Sequence, residues 1–144
     1  MNVQRYLSQA YRLDQIIKCN LDEVASLREM ASSVSSPGFG ERVQTSNKHE
    51  APYIKCIEKI MVLEDKINKE VEQQMELREQ IHSVIGKLEN DDERMVLKYR
   101  YLQNYSWEQI GMILHASRRT IRRWHDRALE HVELPEDPIF INHK

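Results

Sequence analysis

From Tyr6 the apolar positions step by four and three residues in alternation, through Ala10, Leu13, Ile17, Asn20, Val24, Leu27, Ala31 and Val34. That spacing keeps one side of a helix apolar over four heptads, about 40–45 Å at 1.5 Å per residue. A helix with a single apolar stripe is not stable alone in water, so the pattern demands a partner helix. Asn20 is the one polar member of the seam. It either fixes register and oligomer state or sits at a wet edge, and the spacing leaves both readings open.

The pattern stops at SSVSSPGFGERVQTSN, Ser32 to Asn47, where serine, glycine and Pro37 break any helix. Phe39 between two glycines, followed by Glu41, Arg42, Val43 and Gln44, is more specific than a plain linker, although a tether is the expected role. A second long helix is expected from Pro52, a residue suited to a first helical turn. Its stripe is Ile57, Ile60, Leu63, Ile67, Val71, Met75, Ile81, Ile85 and Leu88, with Gln74 and Arg78 weakening the middle. Two such helices either fold back as an antiparallel hairpin or pair between chains.

Shorter elements follow. Asn90-Asp91-Asp92 reads as a break and a helix start, with carboxylates near the positive end of the dipole. A helix over 93–103 would send Met95, Val96, Tyr99 and Leu102 inward. Asn104-Tyr105 turns the chain, and Ser106 with Gln109 forms a capping-box pattern ahead of Ile110, Ile113 and Leu114. Gly111 costs roughly 1 kcal/mol against alanine in a helix, so its presence implies close approach of another helix. His115-Ala116 is a second turn, and Ser117 caps a last helix with Ile121, Trp124, Ala128 and Leu129 facing inward. Trp107 and Trp124 read as core anchors. The helix ends at or before Leu134, because Pro135 disfavours helical geometry in the residue ahead of it. Ile139, Phe140 and Ile141 in the tail are expected to fold back on the domain; binding a partner is the alternative.

The division that results is a coiled-coil-like helix over 1–34, a loop over 35–51, a second helix over 52–89, a helix-turn-helix over 90–132 and a tail over 133–144. Four glycines and four prolines in 144 residues agree with an all-α fold. Net charge is −2, yet between Arg94 and Arg127 eight Lys and Arg face only Glu108 and Asp126. The near-neutral average therefore hides a basic patch. Arg118, Arg119, Arg122 and Arg123 fall on the outer face of the last helix, with Thr120 beside them and Arg127 one turn on. A short helix, a tight turn and a basic second helix form a helix-turn-helix. Arginine's planar fork grips phosphate or binds the O6 and N7 edge of guanine. Contact with an acidic protein and a merely solvated face are the competing readings.

Other chemistry is scarce. Cys19 and Cys56 lie in separate helical patterns and read as reduced thiols. The six histidines show neither HExxH spacing nor a cysteine partner, so no metal, cofactor or catalytic activity is expected. With no signal peptide or long apolar run, the expectation is a cytoplasmic protein of a bacterial host cell that makes no membrane contact.

ERMVLKYRYLQNYSWEQIGMILHASRRTIRRWHDRAL, Glu93 to Leu129, resembles region 4 of bacterial sigma factors. It is closer to small phage and prophage regulators of the RinA and ArpU kind. Upstream, SSPGFGERVQTS followed by IEKIMVLEDKINKEV is similar to a phage family with the same layout of long helix, loop and long helix. The resemblance implies that Ser117, Arg118, Arg119, Thr120, Arg122 and Arg123 contact the major groove of promoter DNA, and Arg127 is a further candidate DNA contact. His115 stands where glycine often makes the turn, a position that takes positive φ, and Gly111 stands where alanine is usual. Without a promoter-melting domain, the chain reads as a regulator carrying a sigma-like DNA reader rather than a complete sigma factor.

The functional expectation is a sequence-specific transcription regulator of phage or prophage genes, an activator. The alternatives are a DNA-binding packaging subunit of the small-terminase kind and a protein-interaction module. Candidate partners are double-stranded DNA, RNA polymerase and further copies of the chain joined through the long helices.

Overall fold

The computed structural model describes residues 2–34 and 46–141. Five α-helices carry the described chain: α1 (Val3–Val34), α2 (Ser46–Gly86), α3 (Asp91–Leu97), α4 (Trp107–Leu114) and α5 (Arg118–His131). No strand occurs among the described residues. Most of the expected tether, Phe39 included, lies outside them. The second helix begins at Ser46 rather than at Pro52, which lies in its interior. The six residues SNKHEA hold no glycine to break a helix, and the missing proline N–H removes a single backbone hydrogen bond.

The chain forms two compact units, Met1–Asp14 with Gln73–Lys144, and Gln15–Glu72. Both long helices contribute to each, so the units do not follow the linear segments.

In Gln15–Glu72 the heptad seam of α1 packs on α2 within the same chain. Val24, Ile60 and Ile67 are buried there, flanked by Ile17, Leu27, Ile57 and Leu63. Asn20 Nδ2 donates to Glu70 Oε1 at 2.7 Å, and Arg28 pairs with Glu64. Residues advancing along α1 thus meet residues receding along α2, as an antiparallel hairpin requires. Asn20 is half-buried, with Glu70 as its partner.

The stripe of α2 follows a different path from the expected one. Val71 and Met75 are exposed, whereas Glu70, Gln74 and Leu77 are buried. From Ile67 the inward positions run 67, 70, 74, 77 and 81, the spacing of a helix facing one partner. Polar residues occupy that row because α1 supplies partners for them. In the larger unit Gln74 Nε2 donates to Ala10 O (3.0 Å) and Asp14 Oδ1 (2.6 Å).

In that larger unit one cluster joins Tyr6, Leu7 and Ala10 of α1 to Leu77, Ile81, Val84 and Ile85 of α2 and to Leu88, Leu97, Tyr101, Leu102, Ala128 and Val132. The C-terminal helices therefore share a core with the ends of both long helices. Asn90 caps α3 by accepting from Glu93 N, with Asp91, Asp92 and Glu93 in the first turn. The helix then widens into a π-helical turn over Lys98–Leu102, closed by Gln103 N bonding to Lys98 O at 3.1 Å. The wider turn moves the inward row off plain helical spacing: Leu97, Tyr101 and Leu102 are buried, while Met95 and Tyr99 are only half-buried.

The tail folds back, as its apolar run implies, and Leu134, Ile139 and Ile141 pack on the same cluster. Among the described residues, no helix is long and apolar enough to cross a membrane.

Candidate nucleic-acid interface

The reading helix is built from its caps. Ser106 accepts from Gln109 N while Gln109 Oε1 accepts from Ser106 N, a complete capping box that starts α4. His115 ends α4 in the left-handed region, φ 54° and ψ 47°, and the N–H groups of His115 and Ala116 both bond to Gly111 O. Histidine thus fills the positive-φ position without glycine.

Gly111 has a different reason from the expected one. A Cβ there would lie 2.7 Å from the carbonyl oxygen of Ala116, so the close neighbour is the turn's own backbone rather than another helix. Ile113 also departs from expectation. It is exposed, with Met112 at 79% exposure beside it, and Ile110 is the buried member of the α4 face.

Ser117 caps α5. Its Oγ accepts from Thr120 N at 3.2 Å and lies 2.9 Å from Thr120 Oγ1. Both hydroxyls are therefore engaged in starting the helix. Behind them Ile121, His125 and Ala128 are buried, with Trp124 half-buried. Ile121 joins Val96 and Ile110 in a second small cluster that ties α3, α4 and α5 together, packed against Tyr99, Tyr105, Trp107, Leu114, Ala116 and Trp124.

With that row turned inward, Arg118, Arg119, Arg122, Arg123 and Arg127 are all exposed. They form two adjacent rows whose members are one helical turn apart, 118 and 122 beside 119, 123 and 127. Arg118 and Glu108 approach to 3.9 Å with both side chains more than half exposed, a contact of little energetic worth. The guanidinium is accordingly available to a better anion. Two other cations of the basic block are already committed. Arg94 donates to Leu88 O at 2.6 Å and pairs with Asp91, while Arg100 donates to Tyr105 O and lies 4.2 Å over the Trp107 ring.

The sequence reading passed over His125. Its Nε2 lies 2.6 Å from Tyr101 Oη, its Nδ1 lies 3.2 Å from Asp126 Oδ1, and its ring meets Trp107 edge-on at 4.8 Å. Burial holds the imidazole below its usual pKa, and burial pushes Tyr101 up to about 12. A neutral histidine and a protonated tyrosine therefore lock the back of α5 to the π turn and to α4. The signal was available: 121, 125 and 128 share one helical face.

A short helix, a left-handed turn and a second helix with an arginine-covered outer face define a helix-turn-helix. Residues 87–133 match the family model for Sigma-70, region 4, a DNA-binding helix-turn-helix family. No curated protein and no solved structure matches the chain.

Proposed function

We propose that this protein is a sequence-specific transcription regulator, an activator of phage or prophage genes, that lays α5 in the major groove of double-stranded DNA. The observation that carries the reading is the outward pair of arginine rows on α5, held behind by Ile121, His125 and Ala128. A major groove about 12 Å wide admits one helix, and the N-terminal turns of that helix come closest to the bases. Arg118, Arg119, Arg122 and Arg123 supply forks for guanine edges or phosphates, and Arg127 reaches backbone further along. Ser117 and Thr120 stand at the positive end of the helix dipole, where a phosphate is favoured.

The experiment is selection of bound fragments from random double-stranded DNA, followed by anisotropy on the enriched sequence over a salt series. The expected outcome is one motif, bound with a steep salt dependence, and affinity lost by roughly a thousandfold or more when all four N-terminal arginines become alanine. Equal binding of wild type and that variant to every DNA would reject the reading.

A second partner, RNA polymerase, is favoured by one observation. Met112 and Ile113 lie exposed on α4, where nothing in the described chain covers them. Met112→Asp would then leave DNA affinity intact and reduce transcription from the selected site. Homo-oligomerisation through the long helices is part of the same proposal, since Leu21, Met61 and Val62 are exposed on them. Light scattering coupled to gel filtration measures it directly.

A further inference from the structure

The tail is held in an unusual way. Its backbone, rather than only its side chains, is gripped by two glutamines from different helices. Gln80 of α2 donates through Nε2 to Asp137 O at 2.9 Å and accepts through Oε1 from Ile139 N at 2.9 Å. Gln9 of α1 donates through Nε2 to Ile139 O at 2.9 Å and accepts through Oε1 from Ile141 N at 3.0 Å. The four bonded groups are O137, N139, O139 and N141, which in an extended chain all point to one side.

A glutamine amide carries the donor and acceptor of a peptide group. Set one after the other, the two glutamines present to the tail what the edge of a neighbouring strand would present. Pro138 fits this register, because its absent N–H belongs to the opposite side. The site is also held in shape. Tyr6 Oη donates to Gln80 Oε1 at 2.6 Å, and Gln9 Nε2 also reaches Tyr6 O at 3.1 Å. Burial pushes the Tyr6 hydroxyl up to about 12, so it keeps its proton and remains a donor.

The side chains add a selective element. Ile139 and Ile141, two apart, pack on the core cluster, whereas Phe140 between them is exposed and its ring lies edge-on to the Tyr6 ring at 6.2 Å. Backbone bonds give affinity for any extended segment, and the alternate apolar positions choose among them.

We infer that the groove between Gln9 and Gln80 is a binding site for an extended protein segment with branched apolar residues at alternate positions, and that residues 137–141 are its exchangeable occupant in cis. The partner is a protein that offers such a segment at a terminus or loop, and its binding releases this chain's tail from the core. The inference does not rest on the DNA reading.

The test uses the full chain and a labelled peptide of Leu134–Ile141, LPEDPIFI, followed by anisotropy. In the wild type the tethered tail competes at an effective concentration in the millimolar range, so the peptide binds poorly. In the full-length double variant Ile139→Asp with Ile141→Asp the tail is expelled, and the peptide should bind at least ~100-fold more tightly than to wild type. Adding Gln9→Ala and Gln80→Ala to that variant should remove the binding, and a peptide with both isoleucines changed to alanine should not bind. A released variant that is helical by circular dichroism yet ignores the peptide overturns the inference, as does binding that survives loss of both glutamines.

Hydrogen exchange on the wild type gives an independent reading should the released variant unfold. The amides of Ile139 and Ile141 should exchange by local opening, faster than those of Ile81 and Ile85. Equal rates for all four would make the tail a permanent part of the core and overturn the proposal. A wild-type dimer formed by reciprocal tail exchange would support it, since the same groove then takes the segment in trans.

Discussion

The same two helices build two units by different rules. In Gln15–Glu72 the seam of α1 is regular, yet the apolar cluster among the described residues holds only Val24, Ile60 and Ile67 as buried members. In the other unit the ends of those helices contribute to a cluster of thirteen buried residues. The difference is a third layer. Over Tyr6, Ala10, Ile81 and Ile85 lie the π turn, α5 and the returning tail, whereas the hairpin within Gln15–Glu72 is two helices thick. A seam residue there has solvent close on either side, and Leu21, Ile54, Met61 and Val62 remain exposed around it. Heptad regularity fixes which residues meet; burial depends on what covers the pair.

The most direct way to break that comparison is to cut the same residue type in both units. Ile81 is fully buried and Ile67 is 6% exposed. Ile81→Ala should cost about 4 kcal/mol, near the upper part of the range for core truncations, because a three-layer site cannot collapse around the gap. Ile67→Ala should cost about 2 kcal/mol, since a two-helix layer closes up or lets water in. Urea denaturation monitored by circular dichroism measures both. Equal costs would mean that the two units are equally well covered.

Gly111 tests how tightly the reading head itself is set. Alanine there gains up to about 1 kcal/mol of helix propensity. It also drives a Cβ to 2.7 Å from the Ala116 carbonyl oxygen, a backbone atom in a turn already bonded to Gly111 O. Overpacking against backbone costs about 1–3 kcal/mol, so the net effect of Gly111→Ala should be a loss of up to about 2 kcal/mol with weaker DNA binding. A variant with an unchanged melting temperature would show that the turn adjusts freely.

Much of this architecture is legible in the sequence. The α1 seam, the Ser106 and Ser117 caps, the Asn90 start and the outward arginines of α5 all depend on local spacing, and each stands where spacing puts it. What escaped depends on partners distant along the chain. Glu70 and Gln74 take buried places from Val71 and Met75 because Asn20, Ala10 and Asp14 are there to bond them. The π turn at Lys98–Leu102 brings Tyr101 inward, which gives His125 its partner. Gly111 was legible as a close contact, but its neighbour was legible only once the chain had turned at His115. The tail's fold-back followed from its apolar run, whereas the grip of Gln9 and Gln80 left no local trace.

The smallest effect concerns the buried histidine behind α5, and it separates the reading head from the thin hairpin by pH. His125 is held below its ordinary pKa of 6.5 chiefly by burial, with Arg100 and Arg122 acting the same way and Asp126 opposing them. Above 6.5 the imidazole is neutral in both folded and unfolded chains and makes no pH-dependent contribution. As pH falls below 6.5 the unfolded chain takes up the proton first, because the folded site resists it. Stability is therefore lost as pH falls from 6.5 towards the lowered folded value, and changes no further from this group once the folded site is protonated too. The Tyr101 hydroxyl, held near 12, stays protonated throughout that window. His125→Gln keeps an acceptor for Tyr101 and removes the titration. The unfolding midpoint of wild type should fall more between pH 7.5 and pH 5 than that of His125→Gln, by a few degrees at most for a domain of this size. Other histidines contribute equally to both proteins, so the difference isolates this site. Parallel pH profiles would mean that the imidazole is free to charge in place, and that the back of α5 is not locked to α4 through it.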